Sequence, residues 1–433
     1  MTKARHIISG RILTFDDAPL SSPEAQAARL AHGCVLVEDG LIAAVGDSAV
    51  IALAAPDARI EDRGEDIIAP GFVDCHNHYP QTRIIASWGK RLIDWLNGYT
   101  FPEEMRFGDP AYAGAVAADY LDLLIANGIT SASAYCTIHP ESADALFTAA
   151  ERRGMRMTAG KVMMDRNAPD RLRDDPRSAY DLSKALIERW AGRGRLTYAV
   201  SPRFAPTSTP EQLEAAGALW AEHPDLPMQT HLSEQPEEIA WMKELFPHDE
   251  DYLAVYERYG LCGPGAIMGH AIHLTNRERA SLQATGAGVA HCPTSNSFIG
   301  SGLCDVAGLA RADVPIGLAT DVGGGSSFSM LTTMKAAYEI GQLRGQSLSP
   351  AFLWRLATEG SARVMRQDRF IGRIAPGMEA DLIALDTKAT PVLAQRAARA
   401  QSASDLLFAL MILGDDRAVA ECWIGGKAQK GGG

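Results

Sequence analysis

Phe72-Val73-Asp74-Cys75-His76-Asn77-His78 is a short apolar run that turns polar at its end, entered through Pro70-Gly71. It reads as a buried strand, and in extended chain residues i and i+2 point to the same side, so His76 and His78 can share one ion. Runs of the same kind recur, and eight are read as strands: residues 71–76, 128–135, 156–163, 196–202, 227–231, 266–270, 288–292 and 315–320. Helical patterns such as 111–126, 211–222 and 330–343 lie between several of them. Alternation of strand and helix predicts an α/β fold with a parallel sheet, and a count of eight predicts a closed (β/α)8 TIM-type barrel.

The two ends of the chain frame this middle. Residues 6–13, 34–38, 41–45 and 59–68 read as short strands separated by turn formers such as Glu38-Asp39-Gly40. Residues 381–386 and 421–424 repeat that style, with Gly425-Gly426 after them. The expected division is therefore 1–67, 68–375 and 376–433, with residues 431–433 a loose glycine tail. The stretch from Thr82 to Phe107 reads as lid-like.

A length of 433 residues suits a barrel with insertions, and 46% hydrophobic with 22% charged residues is ordinary for a globular enzyme. The formal net charge of −12, without a basic run, argues against binding a phosphate backbone. No signal-peptide core and no apolar segment of membrane-spanning length is read, so the expectation is a cytoplasmic protein without a membrane or nucleic-acid partner. Seven cysteines, without a Cys-x-x-Cys pair, fit reduced thiols rather than a disulfide framework.

The chemistry falls at strand ends, where barrels of this class build their active sites. After His76 and His78 come Thr230-His231-Leu232-Ser233-Glu234, then Met268-Gly269-His270, then Ala319-Thr320-Asp321. A His-x-His alone is weak evidence. Imidazoles and a carboxylate ending separate strands together suit zinc or a similar borderline divalent ion, with iron and manganese as other occupants of such ligand sets.

On Pro70–His78, His231-Leu232-Ser233-Glu234, Gly269-His270 and Thr320-Asp321 the chain resembles the amidohydrolase superfamily. Along nearly its full length it is similar, more narrowly, to the guanine deaminase family. Asp94-Trp95-Leu96-Asn97-Gly98-Tyr99-Thr100-Phe101-Pro102-Glu103-Glu104 and Gly160–Pro169 carry that narrower match, with Ser201–Thr207 and His291–Asn296. The resemblance implies a barrel with a small β-sandwich domain formed from both chain ends, one zinc ion per subunit, guanine as the substrate and a homodimer. It implies His76, His78, His231 and Asp321 as metal ligands, with Asp321 also taking a proton from the attacking water. Glu234 would protonate the ring nitrogen beside C2 and carry a proton to the departing ammonia, a task that suits a carboxyl of raised pKa. His270 would orient the water from outside the metal's own ligands.

The resemblance also implies Gln81, Arg203 and Phe204 as the substrate contacts. A planar guanidinium matches the O6/N7 edge of guanine bidentately, which turns C2 toward the metal, and Phe204 offers an apolar face. The plain alternative for Arg203 is a buried salt bridge to a carboxylate; for Glu234 it is a solvated helix-start carboxylate. Lys161 is read as an internal ion-pair partner rather than a carboxylated bridging ligand, and Cys75 as a small buried thiol. His273, His291 and Cys292 are read as mouth or core residues. Gly323-Gly324-Gly325, with no Lys-Ser/Thr after it, lets backbone approach a ligand rather than cradling phosphate. The rival readings are an aminohydrolase acting on 8-oxoguanine or another N-heterocycle, and a catalytically dead barrel serving as a scaffold. The deaminase type built on Pro-Cys-x-x-Cys is excluded by the cysteine spacing.

Overall fold

The computed structural model describes residues 5–88 and 91–430; the glycine tail 431–433, and residues 89 and 90 of the lid-like stretch, lie outside the described residues. All eight runs read as strands form parallel ladders. Phe72–His78, Ile129–Tyr135, Arg156–Gly160 and Leu196–Tyr198 make one four-stranded sheet. Met228–Leu232, Ala266–His270, Gly288–His291 and Ile316–Leu318 make another. The two sheets touch along both edges. On one side Val200 bridges Met228. On the other, Asp321 N–H donates to His76 O at 3.0 Å and His78 N–H to Val322 O at 2.6 Å. Every residue of Phe72–His78 and Ile129–Tyr135 is buried, as parallel strands covered on both faces must be.

The third and fourth runs differ from expectation in being broken. Val162–Met163 and Ser201–Pro202 pair separately from the strands that precede them. The cause lies at Gly160, where a Cβ would stand 1.8 Å from Ala199 O: the two chains approach so closely there that only glycine fits. Helices then return the chain to the next strand. Asp109, Asp175 and Thr209 cap Pro110–Ala126, Pro176–Trp190 and Pro210–Glu222 by accepting first-turn N–H groups, and each proline sits where no donor is needed.

Both chain ends enter one seven-stranded sheet, in the order Lys427–Ala428, Val419–Ile424, Leu382–Leu385, Arg59–Pro70, Arg5–Phe15, Ala28–Glu38 and Leu41–Gly46. Alternation sorts its side chains. Ile8, Val35 and Val37 pack with Ile68, Leu382 and Trp423 on one face, while Ile7, Cys34 and Leu36 meet Ile51 and Ala55 on the other. Arg59–Pro70 runs straight on into Phe72–His78, so the end sheet is joined directly to the strand that carries the first two site histidines.

Candidate active site

Four strand ends converge on one buried point. His78 ends its strand, His270 ends another, His231 is the penultimate residue of a third, and Asp321 follows Ile316–Leu318. Ser233, His270 and Asp321 all take left-handed backbone (φ +48°, +67° and +48°), which turns each chain sharply at the strand tip. His78 Nε2 and His231 Nε2 lie 3.1 Å apart, and Asp321 Oδ1 stands 3.5 Å from both His76 Nε2 and His78 Nε2. Ligand atoms around a tetrahedral ion with bonds of about 2.0–2.1 Å are separated by about 3.3 Å, so the donor spacing fits zinc. Two further facts fit. Both ring nitrogens of His76 are buried without a hydrogen-bond partner, and His231 Nδ1 bonds Arg203 O at 2.7 Å, which leaves its Nε2 free for an ion. Burial lowers the pKa of His76, and lowers those of His78 and His231 far, which keeps the rings in their neutral, metal-binding form. Asp74, which sequence reasoning passed over, fixes the two sides of the site. It accepts from Thr320 N–H at 3.0 Å, from Asn77 Nδ2 at 3.0 Å and from the Thr320 hydroxyl.

The proton-handling groups sit beside the donors. His270 Nε2 lies between Glu234 Oε2 at 3.5 Å and Asp321 Oδ2 at 3.7 Å, while its Nδ1 bonds Asn296 Oδ1 at 2.9 Å. Burial alone would raise the Asp321 carboxyl, but the contact from the His76 ring and the charge on His270 outweigh it and hold it at about 2. Glu234 goes the other way: burial, with the Asp321 charge adding to it, raises its pKa against the pull of His270. Burial opposes a charge on His270 too, yet the Glu234 and Asp321 carboxylates raise its pKa overall. Glu234 is not a helix-start carboxylate, because Glu238 has taken that role and accepts from Glu234 N–H at 2.9 Å and Gln235 N–H at 3.1 Å. Instead Glu234 Oε1 accepts from the Ser301 hydroxyl at 2.8 Å.

A cavity opens beside these groups, lined by His78, His231, Glu234 and Asp321 and by Gln81, Arg203, Phe204 and Trp95. Amidohydrolase family features match residues 67–428. The chain belongs to the amidohydrolase family. The guanine deaminase of Escherichia coli (strain K12) is 43% identical over 412 residues, covering 94% of this chain and 94% of the relative. The solved structure titled E. coli guanine deaminase has TM-score 0.94 at 42% identity, covering 98% of this chain and 99% of the other. A guanine deaminase from C. acetobutylicum, with bound guanine in the active site, has TM-score 0.89 at 26% identity, covering 98% and 99%.

Every residue singled out for this amidohydrolase site is thus brought to one place, with one difference. The Arg203 fork, expected to face a base, is engaged by Glu104: Nη1 donates to Oε2 at 2.6 Å and Nη2 to Oε1 at 3.1 Å. The physical reason is that Arg203 is only 3% exposed, and a buried guanidinium needs a countercharge. Gln81 joins the same carboxylate through Nε2 at 3.1 Å. Lys161 is the internal partner of Asp174 at 2.5 Å, as expected. Cys292, expected at the mouth or in the core, is buried in a core cluster, with its Sγ within 4.8 Å of donor atoms of His76, His270 and Asp321. Burial pushes that thiol's pKa far up, so it stays protonated and is a poor ligand. Gly324 of the glycine run lines the cavity, consistent with close backbone approach.

Proposed function

We propose that this amidohydrolase converts guanine and water to xanthine and ammonia, with one zinc ion held by His76, His78, His231 and Asp321. The observation that carries the reading is the cluster of His76, His78 and His231, with Asp321 3.5 Å from two of them and buried Glu234 on the wall of the adjoining cavity. Its relatives named as guanine deaminases, one of them with guanine bound, support the choice of base.

Zinc bound there supplies a Lewis acid that makes water a nucleophile near neutral pH. The ionised Asp321 takes one proton from the attacking water. Glu234, whose pKa burial raises, gives its proton to the ring nitrogen beside C2 as the water oxygen bonds to C2. Now ionised, Glu234 takes the remaining proton of the former water oxygen and passes it to the amino nitrogen as the C2–N bond breaks; ammonia leaves, and the proton held by Asp321 restores Glu234. His270 aligns the water, Arg203 and Gln81 hold the O6/N7 edge, and Phe204 covers one ring face.

The same proposal extends to architecture and setting. The two sheets joined at both edges form a closed eight-stranded barrel over 68–375. The end sheet, from 1–67 and 376–433, curls into a sandwich. The cluster around Ile8, Val35, Ile68, Leu382 and Trp423 supports the latter, since it buries one face of that sheet with no helix over it. Seven free cysteines suit a reducing cytoplasm, and no described helix is long and apolar enough to cross a membrane. The chain works as a homodimer, which light scattering in solution checks directly. The decisive test strips metal with a chelator, restores zinc, and follows the absorbance change of guanine. Activity returns as zinc reaches about one per chain; zinc-replete protein without turnover of guanine overturns the proposal.

A further inference from the structure

We infer that Glu104 sets base specificity as a positioning residue, locking Arg203 and Gln81 so that they present hydrogen-bond donors to the substrate's edge. The inference rests on the guanine reading above. Glu104 is 1% exposed and stands behind the cavity wall, whereas Arg203 and Gln81 line it. It closes the turn Phe101–Glu104, within the stretch that crosses the cavity, and the same turn lays the Phe101 ring 5.7 Å from the Arg203 guanidinium.

Its two oxygens decide the polarity of that wall. Oε2 takes Arg203 Nη1 at 2.6 Å, and Oε1 takes both Arg203 Nη2 and Gln81 Nε2 at 3.1 Å. The other end of the Gln81 amide accepts from Gly323 N–H at 3.2 Å. A carboxylate on one side and an N–H on the other leave the amide one orientation, with its NH2 toward Glu104. Arg203 has no acceptor at all, and the N–H groups that Glu104 leaves over are donors. At its backbone, Arg203 O accepts from His231 N–H at 3.2 Å and bonds His231 Nδ1 at 2.7 Å. One hydrogen-bonded chain therefore runs from the loop after Asp321, through Gln81, Glu104 and Arg203, to His231. It spans the cavity from one metal-site strand to another.

A wall of donors fits guanine, whose O6 and N7 are both acceptors. It opposes a base with a hydrogen on N7, as in 8-oxoguanine, because two donors then face each other and a buried donor is left unpaired. Without the carboxylate, only the Gly323 N–H still orients the Gln81 amide and the Arg203 fork loses its anchor, so the discrimination weakens. Glu104 contributes this without touching the substrate.

The test compares wild type with Glu104→Gln on guanine and on 8-oxoguanine, the latter followed as substrate or as competitive inhibitor. The expected result is a rise in KM for guanine of at least ~10-fold with a smaller change in kcat, and a fall of at least ~10-fold in preference for guanine over 8-oxoguanine. Bound zinc stays at the wild-type level. Glu104→Asp, which keeps the charge on a shorter stem, recovers part of the preference, and it carries the test if Glu104→Gln does not fold. An equal loss on both bases, or a loss in kcat at unchanged KM, shows a merely structural role and overturns the inference. A wild-type protein inert toward guanine fails the earlier reading instead, so the two failures are distinct.

Discussion

Glu234 and Asp321 are buried carboxyls flanking the same imidazole, yet their surroundings drive them apart. The His76 and His270 rings hold Asp321 ionised, whereas Glu234 has burial and a neighbouring negative charge raising its pKa. That separation supports the proposed roles of Asp321 as proton acceptor and Glu234 as proton donor. Glu234→Gln keeps the side-chain volume and removes the transferable proton. It is expected to retain zinc and guanine binding while kcat falls roughly 10²–10⁴-fold; metal analysis and steady-state kinetics check it, and a near-wild-type rate refutes the shuttle. Ser301 offers a finer test. Its hydroxyl donates to Glu234 and so favours the charged form. Because the reaction needs Glu234 protonated, kcat/KM falls as pH rises through that raised pKa. Ser301→Ala removes the donation, raises the pKa further, and moves the fall to higher pH. A limb that stays put or shifts downward contradicts the assignment. The residues proposed to hold zinc, and Glu234, were legible in the sequence because each is announced by a local pattern at a strand end. Ser301, Asn296 and Glu104 were not: Glu104 meets Arg203 across 99 positions, and no spacing rule links a carboxylate on a crossing turn to a guanidinium on a strand.

At the scale of elements, periodicity carried most of the reading. Buried parallel strands are short apolar runs, helices start at Asp-Pro and Thr-Pro, and both signals survive without any alignment. What periodicity missed are the places where two strands approach too closely for regular pairing. Gly160 breaks one ladder in this way. Gly269 shows the same constraint serving the site, for a Cβ there would lie 2.6 Å from His76 Cε1. Gly269 pairs with His231 in the parallel register and precedes His270, so the glycine makes room for one ligand between two other site histidines. Gly269→Ala is expected to displace the His76 ring and weaken zinc binding about 10–100-fold while circular dichroism stays native. Unchanged affinity in a metal-buffered titration counts against this packing.

For the whole molecule the question is what couples the end sheet to the catalytic strands. Direct continuity through Pro70–Phe72 was visible in the sequence; a second tie was not, because its partners lie 223 positions apart. Arg156, on the third strand, donates Nε to Glu379 at 2.9 Å and Nη1 to Gln367 at 2.6 Å. Arg195 pairs with both Glu379 and Asp381, and Asp381 accepts from Gly425 N–H at 2.7 Å in the last strand turn. Glu379 thus bridges two barrel arginines at the end of the strands remote from the metal donors. Burial opposes its charge, but Arg156 and Arg195 outweigh that and lower its pKa. A carboxylate with a depressed folded-state pKa contributes stability that is complete above the unfolded value near 4.5, and that fades as pH falls through the folded one. Glu379→Gln leaves two guanidinia short of countercharge, at a cost of about 3 kcal/mol. The expected outcome is a Tm several degrees below wild type at pH 7, a gap that narrows as the pH is lowered below 4.5, and an unchanged KM for guanine. A gap that widens in acid reverses the sign of the linkage, and a changed KM places Glu379 in the site rather than in the frame that supports it.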